Sequence, residues 1–105
     1  MKRRIVVRPA AESDLESQAD YLAAHGNLET GIRFYNAAEE TFDLLANQPE
    51  MGRATEFRGP LLAGIRMLPL KGFPKHLVFY KPFENSVEII RVVHGARDIE
   101  SLFEE

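Results

Sequence analysis

Val87-Glu88-Ile89-Ile90-Arg91-Val92-Val93-His94-Gly95-Ala96-Arg97-Asp98 is the stretch on which the reading of this chain turns. Residues 87–93 are mostly apolar and rich in β-branched side chains, the composition of a buried strand. His94, Arg91 and Arg97 crowd its end. An isolated buried guanidinium is expensive, so an arginine inside such a strand has a partner or a function. Working back, residues 77–81 read as the preceding strand, with Glu84-Asn85-Ser86 closing a hairpin between the two. Residues 65–70 read as a further strand, followed by a Gly72-Phe73-Pro74 turn. Residues 50–59 are a polar loop flanked by Pro and Gly.

The front half has a different period. Residues 3–8 form a first strand, and Pro9 suits the first turn of a helix. Residues 10–25 carry Ala11, Leu15, Ala19 and Leu22 at helical spacing, with acids on the opposite side. Gly26 stops that helix in the C′ role. Asn27 is a candidate N-cap for a second helix that opens at Leu28, with an apolar stripe of Ile32, Tyr35, Ala38, Phe42 and Leu45. Gln48-Pro49 ends it. The two helices read as an αα-hairpin. Ile99, Leu102 and Phe103 suggest a last helical turn or an extended anchor. Strand, two helices, three strands and a tail make an α+β fold: an N-terminal strand and αα-hairpin packed on a small antiparallel sheet, which the first strand joins.

The 105 residues fit a single domain, 1–105, with 45% hydrophobic and 28% charged residues, the balance of an ordinary globular protein. No apolar run is long enough to span a membrane. Ile5-Val6-Val7 is too short for the apolar part of a signal peptide, so a cytoplasmic location is expected. Without cysteine there is no disulfide, thiol nucleophile or cysteine-bound zinc. His25, His76 and His94 show no metal-ligand spacing, so neither a metal nor a cofactor is expected. The net charge of −3 conceals a partition. Residues 1–9 hold four bases and no acid. Residues 10–49 hold eight acids and one base. Residues 50–97 hold eight bases and four acids, and residues 98–105 four acids. Two electrostatically distinct faces follow, the basic one suited to an acidic segment or a phosphate backbone.

Hairpin register decides which side chains share a face. A two-residue Asn85-Ser86 loop, favoured because Asn tolerates positive φ, sets Tyr80 opposite Arg91 and Val78 opposite Val93. It leaves Leu77, Phe79, Ile90 and Val92 to pack on the helices, and the Tyr80/Arg91 face open to a partner. A three-residue loop would instead set Tyr80 opposite Ile90. The candidate site is Arg66, Tyr80, Arg91, His94 and Arg97: guanidinium groups that grip carboxylates or phosphates, and an imidazole able to move a proton near neutral pH. The bland readings are a strand-end hydrogen bond for His94, a local turn for Arg97-Asp98 and a half-core position for Tyr80. Leu61, Leu62 and Phe57 are candidate surface anchors, with core insertion the plainer alternative. The chain has no Gly-rich phosphate loop, no HExxH and no nucleophile elbow.

Val93-His94-Gly95-Ala96-Arg97-Asp98 resembles the C-terminal signature of the ParE branch of the ParE/RelE toxin superfamily. Ala10-Ala11-Glu12-Ser13-Asp14-Leu15 is similar to the family's opening. Gly64-Ile65-Arg66-Met67-Leu68-Pro69-Leu70 and Phe73-Pro74-Lys75-His76-Leu77-Val78-Phe79-Tyr80 resemble its later strands. The resemblance runs over essentially the whole chain. It implies the toxin of a type II toxin–antitoxin pair that inhibits DNA gyrase by binding, with no catalytic residues of its own. A ParD-like antitoxin would neutralise it in a hetero-oligomer. Arg66, Tyr80, Arg91, His94 and Arg97 are the candidates for binding antitoxin or target, with Arg66 and Arg91 on the basic sheet side expected to meet the antitoxin. DNA would be met only through antitoxin or gyrase. The RelE branch supplies the alternative, a ribosome-dependent mRNA endonuclease, with Arg66, His94 and Arg97 as catalytic residues. Against it, no tyrosine follows His94 and the tail is acidic. A degenerate toxin that only binds antitoxin is a third possibility.

Overall fold

The computed structural model describes residues 2–57, 59–60 and 62–95. Its elements are β1 (Arg4–Val7), α1 (Pro9–His25), α2 (Leu28–Asn47), β2 (Arg53–Ala54), β3 (Arg66–Leu70), β4 (Phe73–Pro82) and β5 (Ser86–His94). The strands form one sheet in the order β1-β5-β4-β3-β2. All neighbours are antiparallel except β1 and β5, which run parallel. The expected α+β architecture is present, with a mixed rather than purely antiparallel sheet. The long connection from β1 to β5 supplies the crossover that a parallel pair requires. No helix among the described residues is long and apolar enough to cross a membrane.

Both helices begin as their sequences dictate. Pro9 occupies the first turn of α1. The Asn27 side chain caps α2 by accepting the Thr30 N–H at 2.9 Å. Gly26 ends α1 with φ −121°, outside the left-handed region expected of it. Its lack of a side chain matters for space, because a Cβ there would lie 2.9 Å from the Leu22 carbonyl oxygen.

The buried side of α2 is Gly31, Phe34, Ala37, Ala38, Thr41, Phe42, Leu45 and Ala46. Ala38, Phe42 and Leu45 are as expected, whereas Ile32 and Tyr35 are 51% and 38% exposed. Gly31 decides this rotation. A Cβ there would stand 2.9 Å from the Ala19 carbonyl oxygen, so the helices touch at their smallest residue and Ile32 is turned outward. Thr41 escaped the apolar pattern because its hydroxyl is satisfied within the helix, donating to the Ala37 carbonyl at 2.8 Å.

The sheet is covered on both faces. The helices pack on Leu70, Val78, Tyr80, Val87, Ile89 and Val92. On the other face Ile65, Phe79, Ile90 and Val93 gather beneath Phe57 and Leu62 of the β2–β3 connection. Both of those candidate anchors are therefore core insertions, while Leu61 lies outside the described residues. Within the polar loop, Arg53 and Ala54 form a short edge strand on β3 that the sequence reading missed. β4 starts at Phe73, earlier than expected, and the turn before it is Lys71-Gly72, with Gly72 at φ +83°.

The β4–β5 register differs from the favoured one. Pro82 pairs with Val87 and Tyr80 with Ile89. The register then shifts between Phe79 and Tyr80, so that Phe79 pairs with Arg91, Val78 with Val92 and His76 with His94. The turn is Glu84-Asn85, closed by the Phe83 N–H donating to Ser86 O at 2.7 Å. Among the described residues no non-glycine residue has positive φ, so the property for which Asn85 was favoured is not used. The one-residue change in the turn slides each partner by two and keeps it on the same face, so Tyr80 meets Ile89 rather than Arg91. The irregularity near Ile90, by contrast, switches the face and sets Val78 opposite Val92 instead of Val93. Tyr80 and Val78 face the helices, Leu77, Phe79 and Ile90 the opposite face, and Val92 and Val93 keep their expected sides.

Candidate functional site

β5 outruns β1. The last β1–β5 pair is Val7 with Ile89, after which Pro9 diverts the chain into α1. Beyond Ile89 the edge of β5 would hold unpaired backbone groups, and side chains of α1 satisfy them. Asp14 Oδ2 accepts the Val92 N–H at 2.9 Å, and Gln18 Nε2 donates to the Val92 carbonyl at 2.6 Å. One helical turn separates the two, so both point to the same edge. Asp14 also takes the Arg91 guanidinium bidentately, from Nε at 2.8 Å and Nη2 at 2.9 Å. Arg91, the arginine in the apolar strand, thus has its partner within the chain. That hydrogen bond and charge hold its pKa above the ordinary arginine value.

Just past this edge lies a histidine pair. His94 is exposed, and its ring centre stands 5.3 Å from that of His76, the planes at 84°. His76 is half-buried, packed edge-on against Phe34 at 5.0 Å between ring centres, with Nδ1 2.6 Å from Gln18 Oε1. Burial, followed by the neighbouring His94, lowers its pKa from the usual 6.5. An open cleft of about 450 Å³ beside the pair is lined by Ser17, Gln18, Tyr21, Leu22, His76 and His94. Among the described residues, no three His, Asp or Glu side chains gather as a metal cluster.

Arg66 and Tyr80 are paired across β3 and β4 and do a different job. Tyr80 is wholly buried; its hydroxyl donates to Pro49 O at 2.8 Å and accepts the Gly52 N–H at 2.9 Å. Burial pushes its pKa above 10, against the lowering effect of the Gly52 N–H and Arg66. Arg66 donates from Nε to Gly52 O at 2.8 Å and from Nη2 to Glu50 O at 3.2 Å. Together they clamp the chain between α2 and β2. On the face away from the helices, a second open cleft of about 360 Å³ is bordered by Arg53, Phe57, Met67, Leu77, Phe79 and Gly95.

The four described candidates therefore do not converge. Arg66 lies opposite Tyr80 and His94 opposite His76, four residues further along β4. That puts Arg66 and His94 roughly 13 Å apart along the strand direction, on opposite sides of β4. Arg97 lies outside the described residues, as do Asp98, Ile99, Leu102 and Phe103. The sequence reading missed Asp14, Gln18 and His76. A first strand cut short by Pro9, set beside a longer last strand, was the available signal: the excess edge needs polar partners, and an i, i+4 polar pair on α1 provides them.

Comparison with known proteins agrees with this architecture. No curated protein matches the chain. A solved structure described as a chromosomal ParDE TA system from P. aeruginosa is similar in fold, with a TM-score of 0.71 and 16% identity over 89% of this chain and 96% of that one. The family model for the ParE toxin of the type II toxin–antitoxin system parDE matches residues 5–99, from β1 past the last described strand. With that match spanning both helices and the whole sheet, the chain belongs to the ParE toxin family of type II toxin–antitoxin systems.

Proposed function

We propose that this protein is a ParE toxin that inhibits DNA gyrase in the cytoplasm by binding it, and that a ParD-like antitoxin holds it inactive. The observation that carries this reading is the family match over residues 5–99. The geometry favours binding over phosphodiester cleavage. A ribonuclease needs a proton-transferring group and phosphate-gripping cations around one bond. Here Arg66 is committed to loop carbonyls, and His94 lies on the other side of β4 from it, roughly 13 Å away along the strand direction.

Of the residues proposed to meet the antitoxin, His94 is exposed and Arg66 and Arg91 are half-buried, so these three offer accessible surface. Tyr80 contributes from beneath by holding the loop at Gly52. Arg97 completes the proposed set. The basic sheet side suits an acidic segment that folds on binding. Controlled expression of the chain in a bacterial host tests the reading. Growth arrest with a DNA-damage response, while protein synthesis continues, is the expected outcome, reversed by co-expressed antitoxin. Arrest that begins with cleaved mRNA and halted translation would replace gyrase with the ribosome as target.

A further inference from the structure

Beyond the binding of antitoxin and target, we propose that His76 and His94 form a two-imidazole site for a zinc-class divalent cation at the open end of the β4–β5 ladder. Backbone pairing sets up the site. His76 and His94 are direct cross-strand partners. The neighbouring Gly95 N–H donates to Lys75 O at 2.7 Å, which marks residues 75 and 95 as a hydrogen-bonded pair. Pairs alternate along an antiparallel ladder, so 76 and 94 form a non-hydrogen-bonded pair, the type in which facing side chains stand closest.

The spacing fits one ion. With Zn–N bonds of about 2.0–2.1 Å and tetrahedral geometry, two imidazoles on the same zinc have ring centres about 5 Å apart. The rings here are 5.3 Å apart. His94 is exposed and its terminal torsion is soft, so its ring can turn relative to that of His76.

His76 is prepared by its surroundings. Gln18 donates through Nε2 to Val92 O, so its Oε1 is the atom presented to His76 Nδ1 at 2.6 Å. An amide oxygen accepts, so Nδ1 carries the proton and the lone pair is left on Nε2. This is the arrangement in which an outer hydrogen bond fixes the tautomer and orientation of a metal-binding histidine. Phe34 and Phe73 hold the ring edge-on, at 5.0 and 6.1 Å between centres.

The donor set selects the ion. Two imidazoles suit zinc, nickel or copper, whereas calcium and magnesium require oxygen ligands. Among the described residues, none that lines the adjacent cleft carries a carboxylate. The cleft has room for water at the remaining coordination positions.

Calorimetric titration of the tag-free, antitoxin-free full chain with zinc chloride tests the site. One zinc per chain at sub-millimolar concentration is expected, together with loss of that binding in His94→Ala, a change at an exposed position. His25→Ala should bind as the parent does, and magnesium should give no heat. Histidine ring nitrogens followed by NMR should shift for His76 and His94 together while His25 stays put. Absence of saturable binding, binding that survives His94→Ala, or shifts confined to His25 would each overturn the proposal and leave the pair as a ring contact.

Discussion

Asp14 accepts three hydrogen bonds at once, two from the Arg91 guanidinium and one from the Val92 backbone. Removing it strands a half-buried cation and an edge N–H, whereas removing Arg91 leaves the Val92 bond in place. Charge-assisted bonds contribute about 1.5–3 kcal/mol each. Asp14→Ala is therefore expected to cost about 3 kcal/mol in urea unfolding and Arg91→Ala clearly less; equal losses would mean that the backbone bond contributes nothing. Tyr80 makes a second prediction at this scale. Tyr80→Phe orphans the Pro49 carbonyl and the Gly52 N–H, at a cost of about 1–3 kcal/mol. Its phenol pKa is raised by burial, so the folded state resists deprotonation that the unfolded chain undergoes near pH 10. The stabilising contribution is complete below pH 10 and is lost as pH rises through the folded value. The alkaline decline in stability should be shallower in Tyr80→Phe than in the parent protein.

At the scale of elements, Gly31 sets how α1 and α2 meet. An alanine there gains helix propensity of about 1 kcal/mol, but its Cβ would press on the Ala19 carbonyl oxygen at 2.9 Å and the Ala23 Cβ at 3.2 Å. Backbone yields poorly, and overpacking costs about 1–3 kcal/mol, so Gly31→Ala is expected to lower the thermal midpoint. A raised midpoint would mean that the helices separate freely. Element order was legible because each segment carried its own period and stop signals: Pro9, Asn27, Gln48-Pro49 and the β-branched run 87–93. Rotation and register were not. Ile32 and Phe34 are equally apolar, and only the close approach at Gly31 tells which faces inward. Likewise, nothing local tells which face of the hairpin the helices cover. Moving the turn from Asn85-Ser86 to Glu84-Asn85 only exchanges Arg91 for Ile89 opposite Tyr80, and it is the packing of the helices on that face that puts Tyr80 in the core. The site suffered most, since Arg91 was recognised as needing a partner but Asp14 becomes its partner only after α1 folds along β5.

For the whole molecule, charge and architecture coincide. The acids of α1 lie close enough to raise the Tyr35 pKa, after the larger effect of desolvation, so the helical layer is the acidic side. The bases of residues 50–97 belong largely to the sheet and its loops. If an acidic antitoxin segment binds the sheet side, its affinity should fall as salt is raised, because exposed charges are screened over about 8 Å at physiological ionic strength. A salt-independent affinity would move the contact to the exposed apolar residues of the helices, Leu28, Ile32 and Tyr35.

The most direct test of a binding toxin compares two reactions of the purified, antitoxin-free chain: gyrase supercoiling, scored for linear cleaved plasmid, and mRNA cleavage on translating ribosomes. Cleaved plasmid with intact mRNA is the predicted result. Cut mRNA with normal supercoiling would contradict the account and give Arg66, His94 and Arg97 catalytic work.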